Sequence, residues 1–142
     1  MSQTKPGAMK TFALRLKPHE DVKVAIMKFA VDHKLKAACI LSAVGSLEQF
    51  NIRFANQEKG TLKPGHFEVV SLTGLFSDTA AHLHISVSDK DGMTTGGHLL
   101  DNNLVYTTLE LVIGELTDVS FDRVLDSTYG YKELSVTPRK HP

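Results

Sequence analysis

Three of the seven histidines, His82, His84 and His98, lie close together in the segment AHLHISVSDKDGMTTGGHLL. Neutral imidazole is the side chain that most often binds metals in proteins. Three protein ligands that leave a fourth position open are typical of catalytic zinc, whereas closed structural zinc sites usually recruit cysteines. The chain has one cysteine, Cys39. The three histidines are therefore candidate ligands for a divalent metal, and zinc is the predicted ion.

The spacing of the first two histidines is typical of a β-strand with one polar face. Side chains alternate between the two faces of a strand, so His82 and His84 share one face while Leu83, Ile85 and Val87 share the other. A half-exposed strand whose polar residues simply point at water has the same pattern. The alternation alone therefore leaves a metal site and an ordinary surface strand as alternatives.

A hairpin turn after this strand predicts where His98 lies. If residues 90–92 form a three-residue loop with its glycine left-handed, Asp89 pairs with Met93. His98 then lies directly opposite His84, with β-carbons roughly 5 Å apart. This register brings all three imidazoles to one face.

The prediction depends on the register of the hairpin. A two-residue loop would pair His98 with Leu83 and turn its ring to the other face, and the Gly96-Gly97 pair is a candidate for a bulge. Glycine in a strand often marks a place where a ligand or another backbone comes close. Gly96 and Gly97 are therefore candidate residues that shape the approach of a ligand.

The elements that must position these residues are one helix and many strands. Apolar residues recur at helical spacing over 22–30, and Glu20 and Asp21 are predicted in the first turn of this helix. Besides the two strands of the histidine hairpin, the predicted strands are residues 11–17, 37–45, 50–56, 66–76, 104–116, 119–125 and 133–136. The pattern predicts an α+β domain with a mostly antiparallel sheet and one main N-terminal helix.

Glu110 interrupts the longest apolar run, residues 104–116, which is predicted to form a central strand buried on both faces. A carboxylate buried there without a partner would cost several kcal/mol. Glu110 is thus a candidate to support an imidazole, coordinate the metal or transfer a proton. The alternative is that its side chain faces solvent or pairs with an arginine such as Arg53.

Length and charge limit the classes of function. The 142 residues suit a single domain, predicted as a flexible leader over 1–9, the domain over 10–137 and a tail over 138–142. Lysine plus arginine total 16, as do aspartate plus glutamate, so there is no overall basic field for nucleic acid. Weak or absent DNA binding is expected.

The chain has no features of a membrane or secreted protein. No run of about 18 apolar residues exists to span a bilayer. The N-terminal residues lack the apolar core of a signal peptide, and the lone Cys39 suits a reducing compartment. A cytoplasmic location is predicted.

Three segments, GHFEVVSLTG at 65–74, HLHISVSDKDG at 82–92 and GGHLL at 96–100, resemble the plants and prokaryotes conserved domain, called PPC or PCC. The resemblance runs from Phe12 to about Val136. It implies a compact α+β domain that assembles as a homotrimer. In plants this domain follows AT-hook motifs whose Arg-Gly-Arg-Pro core enters the DNA minor groove, and that core is absent from this sequence. Stand-alone prokaryotic members are often labelled DNA-binding proteins.

The fold of this family is also similar to that of acetolactate decarboxylase, in which an HxH strand and a later histidine hold zinc. Carried onto this chain, that resemblance implies zinc at His82, His84 and His98. The chain departs from the family pattern at His19 and Asp101, where glycines are usual. The predicted function is a cytoplasmic homotrimer whose zinc site binds or transforms a small molecule. The alternative is a DNA-binding or regulatory protein-interaction module.

Overall fold

A computed structural model describes residues 7–139, which form eight β-strands and one α-helix. In chain order the elements are β1 (Met9–Leu16), α1 (Val22–Asp32), β2 (Ala38–Arg53), β3 (Thr61–Phe76), β4 (Ala81–Ser88), β5 (Thr94–Leu99), β6 (Leu104–Leu116), β7 (Val119–Leu125) and β8 (Lys132–Pro138). All strand pairs are antiparallel. The predicted α+β class with one N-terminal helix is confirmed.

Helix α1 covers one face of the large sheet. Val22, Ile26 and Ala30 follow helical spacing and are fully buried. Asp21 is the N-cap, whose carboxylate accepts a hydrogen bond from the Val24 N–H at 3.0 Å. The prediction that Glu20 and Asp21 belong to the first turn is therefore wrong, because capping holds Asp21 in an extended conformation before the helix. Within residues 7–139, no helix has the length and apolar character needed to cross a bilayer.

The large sheet has six strands in the order β1-β6-β2-β3-β4-β5, and β2 also pairs with β5. Because β2 pairs with both β3 and β5, the four strands β2, β3, β4 and β5 close on themselves. Residues 37–45 and 50–56, predicted as separate strands, belong mainly to one strand, β2. Leu47 is buried and continues the core pattern between them, while irregular register near Leu47 and Gln49 bends the strand.

Within one protomer the strand over 104–116 is buried on only one face, so the prediction of burial on both faces is wrong for the single chain. Leu109, Leu111 and Ile113 of β6 are buried at 0–2% exposure. Tyr106 and Val112 are exposed at 41% and 36%. Only one face of β6 meets the core, because helix α1 covers only one side of the sheet. The apolar residues of β6 therefore form two faces, one in the core and one exposed on the surface of the protomer.

Strands β7 and β8 form a separate two-stranded sheet that packs at one end of the large one. Phe121 and Val119 are buried against Ala37, and the Phe121 N–H donates to the Lys36 carbonyl oxygen at 2.8 Å. Leu75 of β3 also packs against this cluster. The hairpin is thus fixed beside the strand that pairs with β4.

The predicted domain limits can be compared with the outermost strands, although the limits themselves stay a prediction. Strand β1 begins at Met9 and β8 ends at Pro138, each within one residue of the predicted limits 10 and 137. Ala8 is tied to the domain, since its N–H donates to the Asp118 carboxylate at 3.0 Å. Most of the predicted leader and tail lies outside the described residues, so their flexibility stays a prediction.

Candidate metal centre

Strand β4 presents its two histidines on the face opposite the core. Leu83, Ile85 and Val87 are buried at 3%, 2% and 0% exposure, while His82 and His84 are exposed. Burial of the alternate apolar residues fixes which face the imidazoles occupy, because a slip of one residue would expose all three. The predicted alternation is confirmed.

The hairpin has the register that the three-residue loop predicts. The Asp89 N–H donates to the Met93 carbonyl oxygen at 3.0 Å, and Gly92 is left-handed with φ 77°. Strands β4 and β5 then pair so that His84 lies opposite His98. The alternative of a two-residue loop is excluded by these contacts.

The three imidazoles converge at their ring nitrogens. The Nε2 atom of His84 lies 3.1 Å from Nε2 of His82 and 3.1 Å from Nδ1 of His98. One ligand atom from each ring can be chosen so that all three lie within 4.8 Å of one another. Tetrahedral zinc with Zn–N bonds of about 2.0–2.1 Å requires nitrogens about 3.3 Å apart. Two of the three donor separations, both from His84 Nε2, are therefore close to what one small cation would require.

Hydrogen bonding among the rings does not account for this convergence. A ring nitrogen of neutral histidine carries either one hydrogen or one lone pair, so it makes one good hydrogen bond. The Nε2 atom of His84 has two nitrogen neighbours at 3.1 Å. A shared cation would accept a lone pair from each ring and would satisfy all three nitrogens at once.

The surroundings of His82 and His98 favour the neutral form of these rings, which is the state that binds metal. Burial, followed by the positive charge of Arg123, lowers the pKa of His82 below its ordinary value. Burial, followed by the charge of Arg53, lowers the pKa of His98. The carboxylate of Glu133 acts on His82 in the opposite direction. Imidazoles with lowered pKa values lose their proton readily to make room for a metal ion.

The site is accessible from solvent. His82 and His84 are exposed and His98 is half-buried. Three neutral nitrogen ligands on an open surface leave a coordination position for water or a small molecule. The arrangement can therefore hold a divalent metal and present it to a ligand.

Gly96 and Gly97 have a packing role in the structure. A β-carbon on Gly97 would lie 2.5 Å from the Arg53 carbonyl oxygen, and one on Gly96 would lie 2.8 Å from the Ile85 carbonyl oxygen. The two glycines thus let β5 fit between β2 and β4 and set the position of His98. Their predicted part in shaping the approach of a ligand stays a prediction.

Glu110 lies on β6, opposite Arg15 of β1 and Val44 of β2. Its side chain is exposed, in line with the alternative that it faces solvent. Strands β2 and β3 separate β6 from the histidine strand β4 in the sheet order. The structure does not include Glu110 in the group of convergent ligands, so its catalytic role stays a prediction.

Sequence reasoning missed two arginines beside the histidines. Arg53 lies directly opposite His98 where β2 pairs with β5. Arg123 comes from β7, and its charge reaches His82. The sequence around each arginine gives no indication that it lies near the histidines, because contacts between segments far apart in the chain bring it there.

The fold and the site together define a class of small α+β protein with a partly closed antiparallel sheet and a surface-exposed three-histidine centre. The chain belongs to the Plants and Prokaryotes Conserved (PCC) domain family, whose profile matches residues 3–117. The match includes all three histidines and ends before β7. Arg123 therefore lies beyond the part of the chain that the family profile covers.

Several known proteins are similar to this chain. A hypothetical protein from Salmonella cholerae-suis is 40% identical, with a TM-score of 0.95 over 97% of this chain and 100% of that one. A metal-containing protein from Archaeoglobus fulgidus is 27% identical, with a TM-score of 0.76 over 93% of this chain and 99% of that one. The bifunctional protein GlmU of Synechococcus is 39% identical over 133 residues, covering 94% of this chain and 21% of that protein. This chain thus spans about a fifth of the length of the curated relatives it matches first.

Proposed function

We propose that this protein binds one divalent metal ion, zinc, through Nε2 of His82, Nε2 of His84 and Nδ1 of His98, and presents it to a small molecule. The observation that carries the proposal is the convergence of these three nitrogens, with two separations of 3.1 Å. The metal-containing relative from Archaeoglobus fulgidus supports it, because that protein shares the fold at 27% identity.

Zinc held by three neutral imidazoles would polarise a bound carbonyl or lower the pKa of a bound water. The chain's own contribution is to hold three rings at fixed positions. Buried neighbours anchor each ligand strand: Leu83 and Ile85 flank His84, and Leu99 follows His98. Rigid strands keep ligand atoms in place better than loops do. We infer binding or transformation of a small molecule as the role of the site.

The test of the proposal is the metal content of the protein, purified without a histidine tag and without chelator. Elemental analysis should find close to one zinc or similar divalent ion per chain, since three imidazole ligands bind zinc firmly at neutral pH. Treatment with a chelator should remove it, and added zinc should restore it. Less than a tenth of an ion per chain after reconstitution would overturn the proposal.

We also propose that the chain assembles as a homotrimer through the outer face of the large sheet. Leu41, Val44 and Val70 are exposed there at 48–59%, beside the exposed Tyr106 and Val112 of β6. Neighbouring exposed apolar side chains on a sheet are typical of an interface between subunits. The trimeric state itself comes from the family resemblance.

Light scattering at micromolar concentration should give a mass about three times the 15.6 kDa of the protomer. Replacing Val44 with glutamate should reduce this mass toward that of the monomer, because a charge would be buried in the interface. Val124→Glu is the matched control, since Val124 is equally exposed, at 56%, but lies on β7. A wild-type monomer would disprove the trimer.

We propose that the protein acts in the cytoplasm and that DNA is at most a weak partner. Lysine plus arginine equal aspartate plus glutamate at 16 each, which leaves few cations to replace phosphate counterions. Anisotropy titration at about 150 mM salt should show only weak binding that disappears as salt is raised. Tight, sequence-selective binding under these conditions would instead favour the DNA-binding module.

A further inference from the structure

Arg53 is part of the surface that surrounds the three histidines. It lies directly opposite His98 where β2 pairs with β5, so both side chains leave the sheet on the same face. Its Nη1 donates to the Gln57 carbonyl oxygen at 3.1 Å, which holds the half-buried guanidinium in place. A guanidinium has five N–H donors. Among the described residues no carboxylate forms an ion pair with Arg53, so its charge is available to a ligand.

Arg123 lies on β7, and its charge acts on His82. Arg123 is half-buried and lines a small cavity together with Ser77 and Ala80. These two residues belong to the turn that precedes β4, the strand that carries His82. Within residues 7–139 the Arg123 guanidinium forms no ion pair either. The negative group that also acts on His82 is Glu133, which is exposed on β8. Its carboxylate offsets part of the positive charge at His82, where its effect is larger than that of Arg53 and smaller than that of Arg123.

These charges matter once a metal is present. Three neutral imidazoles add no negative charge to balance a divalent ion, and the two arginines add more positive charge beside it. A site of this kind favours an anion in its open position, because the anion neutralises the metal and the guanidinium groups together. The planar fork of a guanidinium matches the two oxygens of a carboxylate or phosphate.

We propose that Arg53 and Arg123 make the three-histidine centre a receptor for small oxyanions that bind the metal with one oxygen and an arginine with another. The inference rests on the metal site proposed above. It assigns Arg53 and Arg123 as specificity-determining residues, and it assigns a carboxylate or phosphate group to the natural ligand. Arg123 would supply this specificity from outside the part of the chain that the family profile matches.

The test uses the full-length protein loaded with cobalt(II), whose visible absorption changes when its fourth ligand changes. Acetate, inorganic phosphate and neutral acetamide are titrated separately into the wild type, Arg53→Gln and Arg123→Gln. Each substitution should weaken binding of the preferred oxyanion by at least about tenfold, because a charge-assisted hydrogen-bonded pair is lost. Acetamide should bind more weakly than that oxyanion, and equally in all proteins.

Arg15→Gln is the matched control, since it removes the same charge from the exposed strand β1, where Arg15 contacts Thr108. It should leave oxyanion affinity within about twofold of the wild type. Acetate and phosphate distinguish the two classes of ligand, and preference for either supports the inference. Normal cobalt uptake with unchanged oxyanion affinity in both arginine variants would overturn this inference alone. Failure of the wild type to take up cobalt would overturn the metal site and the inference with it.

Discussion

Replacing His84 with alanine is expected to lower zinc affinity by about a hundredfold or more. His84 supplies the central nitrogen of the site, 3.1 Å from its neighbours on His82 and His98, so its loss leaves only two ligands. Losing even a residue that only supports a metal ligand typically costs 10–100-fold in affinity, and losing a ligand itself costs at least as much. Competition with a coloured zinc indicator measures the change.

His66→Ala is the matched control for this substitution. His66 is also an exposed histidine on a strand of the large sheet, but it lies outside the three-histidine group. Its ring stacks on that of Tyr106, with 4.1 Å between the ring centroids. It should retain the wild-type zinc content. Retention of one tightly bound zinc per chain by the His84 variant would show that the metal is held elsewhere.

Replacing Gly74 with alanine is expected to destabilise the fold by about 3 kcal/mol or more. Gly74 has φ 140°, and a β-carbon there would lie 2.1 Å from the His82 carbonyl oxygen and 2.8 Å from the Leu83 Cα. Strained backbone and overpacking each cost about 1–3 kcal/mol. Both partners of the clash are backbone atoms, so relief requires β3 and β4 to separate. Urea unfolding of the metal-free protein measures the loss.

Gly130→Ala is the control that measures the cost of a strained backbone without a steric clash. Gly130 has φ 75°, but no atom lies within 4 Å of its ideal β-carbon position. Its substitution should cost only about 1 kcal/mol, the ordinary penalty for a left-handed residue with a side chain. Because the clash at Gly74 involves the backbone of His82, that variant should also bind zinc less tightly. Equal stability of the two variants would contradict the proposed tight packing of β3 against β4.

Much of the histidine centre could be predicted from sequence because its determinants are local. Alternation of apolar and polar residues fixes the face of β4, and the loop over 90–92 with its left-handed glycine fixes the register of the hairpin. Both signals act within a segment of fewer than twenty residues. The pairing of His84 with His98 therefore follows without knowledge of the rest of the chain.

Predictions failed where a residue's surroundings come from distant segments. The apolar composition of β6 indicates burial on both faces, but the single helix α1 covers only one side of the sheet, and Tyr106 remains exposed. Asp21 suits either a first turn or an N-cap by charge alone. The backbone conformation selects the cap.

The sequence by itself determined the class of fold, the family and the three convergent histidines. Periodicity, turn chemistry and motif spacing are properties of short stretches of chain, so the sequence alone is enough to identify them. Only the tertiary structure decided that β2 closes against β5 and that the β7–β8 hairpin packs beside β3. Those long-range contacts place Arg53 opposite His98 and let the charge of Arg123 act on His82. The physical reason is that such pairings depend on the complementarity of surfaces formed by the whole chain, which no local pattern specifies.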